Sequence, residues 1–125
     1  MRVLITNASL RFLAGTEVYV RDLATWLLEQ GHWPVVYAPH LGDAATQIRR
    51  RTVPVTDDLS TIAVPPDVIH GNSAVETMIA LLHFPQTPAI FVCHGWFGPA
   101  LKFPRIFRYV AVDDTCADRL LLEEG

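Results

Sequence analysis

Three places in the chain gather residue types that could do chemistry, and each stands where an apolar run gives way to a polar one. The first is Gly15, in Ala14-Gly15-Thr16-Glu17, between the apolar Val3-Leu4-Ile5 and a periodic run that ends at Gln30. The second is Asn72-Ser73, directly after Asp67-Val68-Ile69-His70-Gly71, and the third is His94-Gly95, directly after Ala89-Ile90-Phe91-Val92-Cys93. A glycine ahead of a helix lets a ligand approach the backbone and tolerates positive φ. The helix behind it offers unpaired N–H groups and a positive dipole end to a phosphate. A tight turn would use the same glycine. An imidazole at position 94 could hydrogen-bond a substrate hydroxyl or a developing charge, or it could be a loop histidine bonded to backbone. Ser73, with Glu76 three residues on, has the form of a capping box, a role that needs no ligand. His70 is open to reading as a buried, satisfied histidine, and His32 as packing or turn geometry.

These residues need elements to hold them, and the periodicity supplies candidates. Val20, Leu23, Ala24 and Leu27 fall at i, i+3, i+4 and i+7, which predicts a helix from about Thr16 that Gly31 ends. Val75, Met78, Ile79 and Leu82 repeat that spacing and predict a second helix from about Ser73 to His83. Apolar runs at 2–6, 35–38, 67–70, 89–93 and 109–112 read as strands, with 89–93 buried on both faces by its near-continuous apolar character. Thr52-Val53-Pro54-Val55 is a weak strand that Pro54 assigns to an edge. The segment 41–51 reads as polar with a short helix, its Arg49-Arg50-Arg51 as a solvated helix end, and 56–66 as irregular. Asp113 or Asp114 can cap a last helix with Ala117, Leu120 and Leu121 inside and Gly125 at its end. The expected core is Val20, Leu23, Leu27, Met78, Ile79, Ile90, Val92, Val110 and Val112. Alternating strands and helices predict an α/β fold: a Rossmann-like parallel sheet of five or six strands with helices on both faces.

The 125 residues, half of them hydrophobic, suit one domain spanning 1–125. Ten Lys and Arg against 13 Asp and Glu give a formal charge of −3, so no nucleic-acid footprint is expected. Cys93 and Cys116 lack metal-like spacing and read as reduced thiols of a cytoplasmic protein. The first apolar run is too short for a signal peptide and flows into a strand pattern. No uninterrupted apolar run approaches the ~18 residues of a spanning helix.

Ala14-Gly15-Thr16-Glu17, Gly31-His32 leading into Val35-Val36, Pro66 to His70, Pro88 to Cys93 with His94-Gly95, and Tyr109 to Val112 come in one order. Together they resemble the N-terminal domain of family 4 glycosyltransferases, retaining enzymes built from two Rossmann-like domains in the GT-B architecture. The resemblance covers essentially the whole chain. It implies a hexosyltransferase-like enzyme that moves a sugar from a nucleotide-sugar donor to an acceptor (glycan, lipid or small molecule), with no metal and no cofactor. By the same resemblance His94 faces the transferred sugar and Gly15 approaches the donor diphosphate. The family's usual glycine pair is Ala14-Gly15 here, so only Gly15 corresponds. Asn72 could contact the acceptor. Trp96, with Phe97 and Phe103, could stack on a sugar ring or form a seam against another domain. Asp113 stands where the family commonly has serine and carries no assigned role.

Such enzymes hold most of the donor in a C-terminal domain, through a Glu-x7-Glu motif that no pair of glutamates here matches. The expectation is therefore a fragment, inactive alone, whose donor-binding domain lies in cis or in a partner chain, with room for a peripheral membrane contact. Two other readings stay open: a non-catalytic flavodoxin-like binding module, and a domain of a nucleotide-sugar epimerase-like enzyme. The Gly-x-Gly-x-x-Gly and Gly-x4-Gly-Lys-Ser/Thr fingerprints are absent.

Overall fold

The structure is a computed structural model that describes residues 1–94 and 106–111. In chain order its elements are β1 (Arg2–Thr6), α1 (Gly15–Glu29), β2 (Trp33–Tyr37), α2 (Asp43–Arg50), β3 (Val55–Thr56), β4 (Val68–Gly71), α3 (Ala74–His83), β5 (Ala89–Cys93) and β6 (Ile106–Ala111). A single 3-10 turn, Leu59–Thr61, interrupts the irregular stretch before β4.

All strand pairings are parallel, in the order β3-β2-β1-β4-β5-β6. Parallel neighbours need crossover connections, and alternate side chains of each strand must find cover on opposite faces. Along β1, Val3 and Ile5 join Val20 and Ala24 of α1 and Ala44, Ala45 and Ile48 of α2 in one apolar cluster. Leu4 joins Ile69, Ala74, Ala80, Leu81 and Phe91 in the other. Helices therefore cover both faces of a Rossmann-like sheet. The successive strands run outward from β1 in one direction and from β4 in the other, so the crevice where ligands of such sheets bind lies beyond the carboxyl ends of β1 and β4.

Gly31 ends α1 as expected. Its φ is +85°, its N–H donates to the Leu28 carbonyl at 3.1 Å and the His32 N–H to the Leu27 carbonyl at 3.0 Å, the paired bonds of a Schellman cap. The short edge strand β3 follows Pro54, and Arg49 and Arg50 occupy the last turn of α2. From there the Arg49 guanidinium donates to the Val55 carbonyl at 3.0 Å, tying helix to edge.

The periodicity of α3 points to the wrong face. Val75, Met78, Ile79 and Leu82 are exposed, Leu82 by 67%, while Ala74, Thr77, Ala80 and Leu81 face the sheet. The reason lies in β4. A Cβ at Gly71 would fall on the Thr77 hydroxyl and methyl, so around Thr77 the helix sits too close to the strand for a larger side chain. Met78 and Ile79 thus leave the expected core, whereas Val20 and Val92 are buried and Leu23, Leu27 and Ile90 are half-buried. Val110 lies on β6. Val112, Asp113, Asp114, Cys116, the last helix with Ala117, Leu120 and Leu121, Gly125, and the aromatics Trp96, Phe97 and Phe103 lie outside the described residues.

The capping box is likewise corrected. Ser73 is the N-cap residue of α3 by its extended backbone, but its side chain makes no capping bond, and its Oγ is buried with no hydrogen-bond partner among the described residues.

Candidate active site

Four side chains from three elements converge at the crevice. Asn72, just past β4, is only 7% exposed. Its Nδ2 donates to the Thr6 carbonyl at the end of β1, 3.1 Å away, and its Oδ1 lies 2.8 Å from the His94 Nε2 just past β5. One carboxamide thus ties three strand ends together. Since a carbonyl can only accept, the nitrogen of Asn72 must face Thr6, which leaves the oxygen to face His94. The His94 Nε2 therefore carries the proton and donates it to Asn72. In the neutral ring Nδ1 is then a lone pair, and it has no partner among the described residues. Half-burial lowers the His94 pKa from its ordinary value by desolvating the charged form, so at neutral pH the ring offers a hydrogen-bond acceptor rather than a cation.

Tyr19 and His70 complete the group. Tyr19 projects from α1 so that its ring meets His94 edge-on, with centroids 4.8 Å apart at 66°. Its hydroxyl lies 3.0 Å from the Nε2 of His70 on β4. Burial raises the Tyr19 pKa, so the phenol stays protonated. Burial first, and the neighbouring His94 second, push the His70 pKa down to about 4.

Between about 6.5 and about 4 the unfolded chain takes up a proton that folded His70 refuses, so stability falls as the pH drops through that window. Half-buried His94 adds a loss of the same sign. With allowance for residual solvent contact, the His70 part is on the order of 2 kcal/mol at the acid end. Unfolding midpoints at pH 7.5 and pH 5 should fall further for the parent than for His70→Gln; parallel pH profiles would show that His70 is not held neutral.

On the β1 side, Asn7 is buried and its Nδ2 donates to the Ser9 carbonyl at 2.9 Å and to Thr16 Oγ1 at 3.3 Å, which fixes the loop leading into α1. Gly15 is the first residue of α1, exposed, without positive φ, and a Cβ there would meet nothing within 4 Å. Among the described residues neither turn geometry nor packing requires a glycine at this place. Ala14, the N-cap, has no side chain to satisfy the first-turn N–H groups, although Glu17 places a carboxylate in the same turn. The Thr16 hydroxyl donates to that carboxylate at 3.4 Å.

Of the residues singled out by sequence, His94 and Asn72 are thus joined directly, Gly15 stands across the crevice on the end of α1, and Trp96 lies outside the described residues. Asn72 spends both ends of its carboxamide on the protein. His70 is half-buried and bonded to Tyr19, and His32 Nδ1 lies 3.3 Å from the chain amino terminus, away from the site. Tyr19 carried no sequence signal, because it acts through His70 and His94, which only the fold brings near it, and the Asn7–Thr16 bond likewise joins residues that no local pattern pairs.

Among the described residues no three His, Cys, Asp or Glu side chains come together to hold a metal ion. No described helix is long and apolar enough to cross a membrane. A mainly apolar cavity of about 670 Å³, lined by Arg2, Trp33, Val35, Pro54, Ile62 and Val64 among others, opens near the opposite ends of the strands.

A doubly wound parallel domain with hydrogen-bonding side chains gathered at its strand-order reversal belongs to the class that binds ligands at that crevice. The particular family is shown by comparison: the model of Glycosyltransferase Family 4 matches residues 13–121, and the chain belongs to that family as a glycosyltransferase-type domain. Comparison with curated proteins and with solved structures gives no match.

Proposed function

We propose that this domain is the acceptor-side half of a retaining, metal-independent GT-B glycosyltransferase, which moves a sugar, hexose-like in size, from a nucleotide donor to an acceptor. A second domain, in cis or in a partner chain, binds most of the donor. The observation that carries this reading is the Thr6–Asn72–His94 chain of hydrogen bonds, which holds a neutral imidazole at the crevice of a family 4 domain. In a retaining transfer the diphosphate leaves from the face that the acceptor attacks, and the sugar between them gains positive, oxocarbenium-like charge. A neutral ring whose Nδ1 lone pair has no partner among the described residues suits that charge, and an imidazolium would oppose it. The lone pair can accept from a sugar hydroxyl and fix the ring, while the departing phosphate takes the acceptor proton. The protein then works by positioning and electrostatics. Asn72 orients His94, and Trp96 is assigned to the acceptor side. The lack of metal-like spacing between Cys93 and Cys116 in the sequence supports a cytoplasmic setting.

Incubation with a panel of nucleotide sugars tests the division of labour. Residues 1–125 alone should give neither transfer nor tight binding, and the full-length protein should give a product that keeps the donor's anomeric configuration. Micromolar affinity of the isolated domain for a sugar nucleotide, or an inverted product, would overturn the reading. Gly15→Val probes the diphosphate contact. Because a Cβ on Gly15 would meet nothing within 4 Å among the described residues, the variant should fold normally and raise the donor KM about tenfold or more, the effect of losing roughly 1.4 kcal/mol of binding. An unchanged KM would remove Gly15 from the site.

A further inference from the structure

We infer that Tyr19 and His70 form a positioning pair for His94, with Tyr19 bracing the imidazole edge-on from α1 and His70 anchoring the Tyr19 hydroxyl from β4. This rests on the proposed role of His94 toward the transferred sugar and extends it to two residues that nothing else assigns. Asn72 holds one atom of the ring, Nε2, at 2.8 Å. A single hydrogen bond fixes a point and leaves the ring free to turn about it. A second contact from another direction is needed to fix the plane, and the Tyr19 ring, 4.8 Å away at 66°, supplies it with a geometry that aromatic pairs favour.

A tyrosine on a helix surface would itself be free to change rotamer. Here it is tied at its far end, because the hydroxyl sits 3.0 Å from His70 Nε2 and the two rings pack with centroids 5.9 Å apart. His70 is in turn a strand residue, in register with Ile5 on one side and Ile90 on the other, so the anchor has the rigidity of the sheet centre. The brace therefore runs from β4 through α1 to the residue after β5, while Asn72 runs from β1 to the same imidazole. His70 stays uncharged near neutral pH, which lets it hold the tyrosine without adding a cation beside a sugar that becomes positive. Tyr19 also lies one helical turn beyond Gly15 on α1, so the helix end proposed to meet the diphosphate and the brace for the imidazole move as one body.

The test is a double-mutant cycle in the full-length enzyme. Tyr19→Phe keeps the ring and removes the anchor; it should lower kcat about fivefold, with donor and acceptor KM within twofold. His70→Gln, which can present an amide near the place of Nε2, should keep more turnover than His70→Ala. In a His94→Ala background Tyr19→Phe should have no further effect, since the group it positions is gone. Equal losses from Tyr19→Phe in both backgrounds would overturn the pair while leaving the role of His94 intact. Normal turnover in Tyr19→Phe itself would do the same. Normal turnover in His94→Ala would overturn the role of His94 and the positioning pair with it. Thermal midpoints of each variant, together with the histidine ring signals by NMR, separate a displaced imidazole from a destabilised fold.

Discussion

His94→Ala in the full-length enzyme is expected to lower kcat at least ~10-fold, the scale of one to two kcal/mol lost from the transition state. The fold should be unchanged, because the side chain is half-buried at a strand end and its removal leaves Asn72 bonded to the Thr6 carbonyl. The Asn72 oxygen loses its partner but lies close enough to the crevice for water to replace it. His94→Gln can offer Asn72 an N–H and keep a carbonyl lone pair in one plane, but on a longer and more flexible side chain, so it should recover only part of the turnover that His94→Ala loses. Steady-state kinetics with saturating donor and acceptor decide the matter, and a kcat within twofold of the parent would end the assignment. Because the proposed contact strengthens as the sugar gains charge, the loss should fall on kcat more than on KM.

The largest stability effect is expected at Gly71. An alanine Cβ would lie 2.6 Å from the Thr77 methyl and closer still to its hydroxyl, and Thr77 cannot swing aside. It is β-branched, fully buried, and hydrogen-bonded through Oγ1 to Thr6 Oγ1 at 2.8 Å. Overpacking of this kind costs roughly 1–3 kcal/mol, and breaking a buried hydroxyl pair adds about 1–3 more. Gly71→Ala should therefore lose about 3 kcal/mol, or about 10 °C in thermal midpoint for a domain of this size. Gly15→Ala serves as the control: its new methyl meets nothing within 4 Å among the described residues, and alanine favours helix over glycine by up to about 1 kcal/mol, so it should be neutral or stabilising. Removing the obstructing methyl and hydroxyl with Thr77→Ala should restore part of the loss in the double variant. A Gly71→Ala midpoint within a degree or two of the parent would mean that α3 does not pack on β4 as closely as described.

Gly71 also explains what the sequence hid. Strand 89–93 was legible because its apolar run, directly after Pro88, is nearly continuous, and the end of α1 was legible because Gly31 is the residue type that its positive φ favours. In α3, by contrast, two stripes compete. Val75, Met78, Ile79 and Leu82 make the more hydrophobic one, and periodicity alone selects it. The sheet selects the other, because a glycine on β4 and small residues at 74, 77 and 80 let the backbones approach closely. The run of small side chains was the available signal, and hydrophobicity outweighed it. At the site, His94 and Asn72 could be found because each follows a strand. That Asn72 would hold His94, and Tyr19 would lean on it, depends on residues 22 and 75 positions apart in the chain being brought together, which local pattern does not encode.

β1 gains its two neighbours at different times as the chain is made. It pairs with β2, which follows soon after it, but its other neighbour is β4, whose residues 68–71 come much later. During synthesis at about 5–20 residues per second, one edge of β1 stays unpaired for seconds after Tyr37 has been made. That edge belongs to an apolar strand, Arg2-Val-Leu-Ile-Thr6, the kind of surface that pairs with other chains when exposed. A sheet built outward from its middle, through parallel contacts between distant residues, also folds slowly for its size. The central strand that sets the crevice is thus the part of the nascent chain with the longest wait for its partner, and the point at which a chaperone would have most to protect.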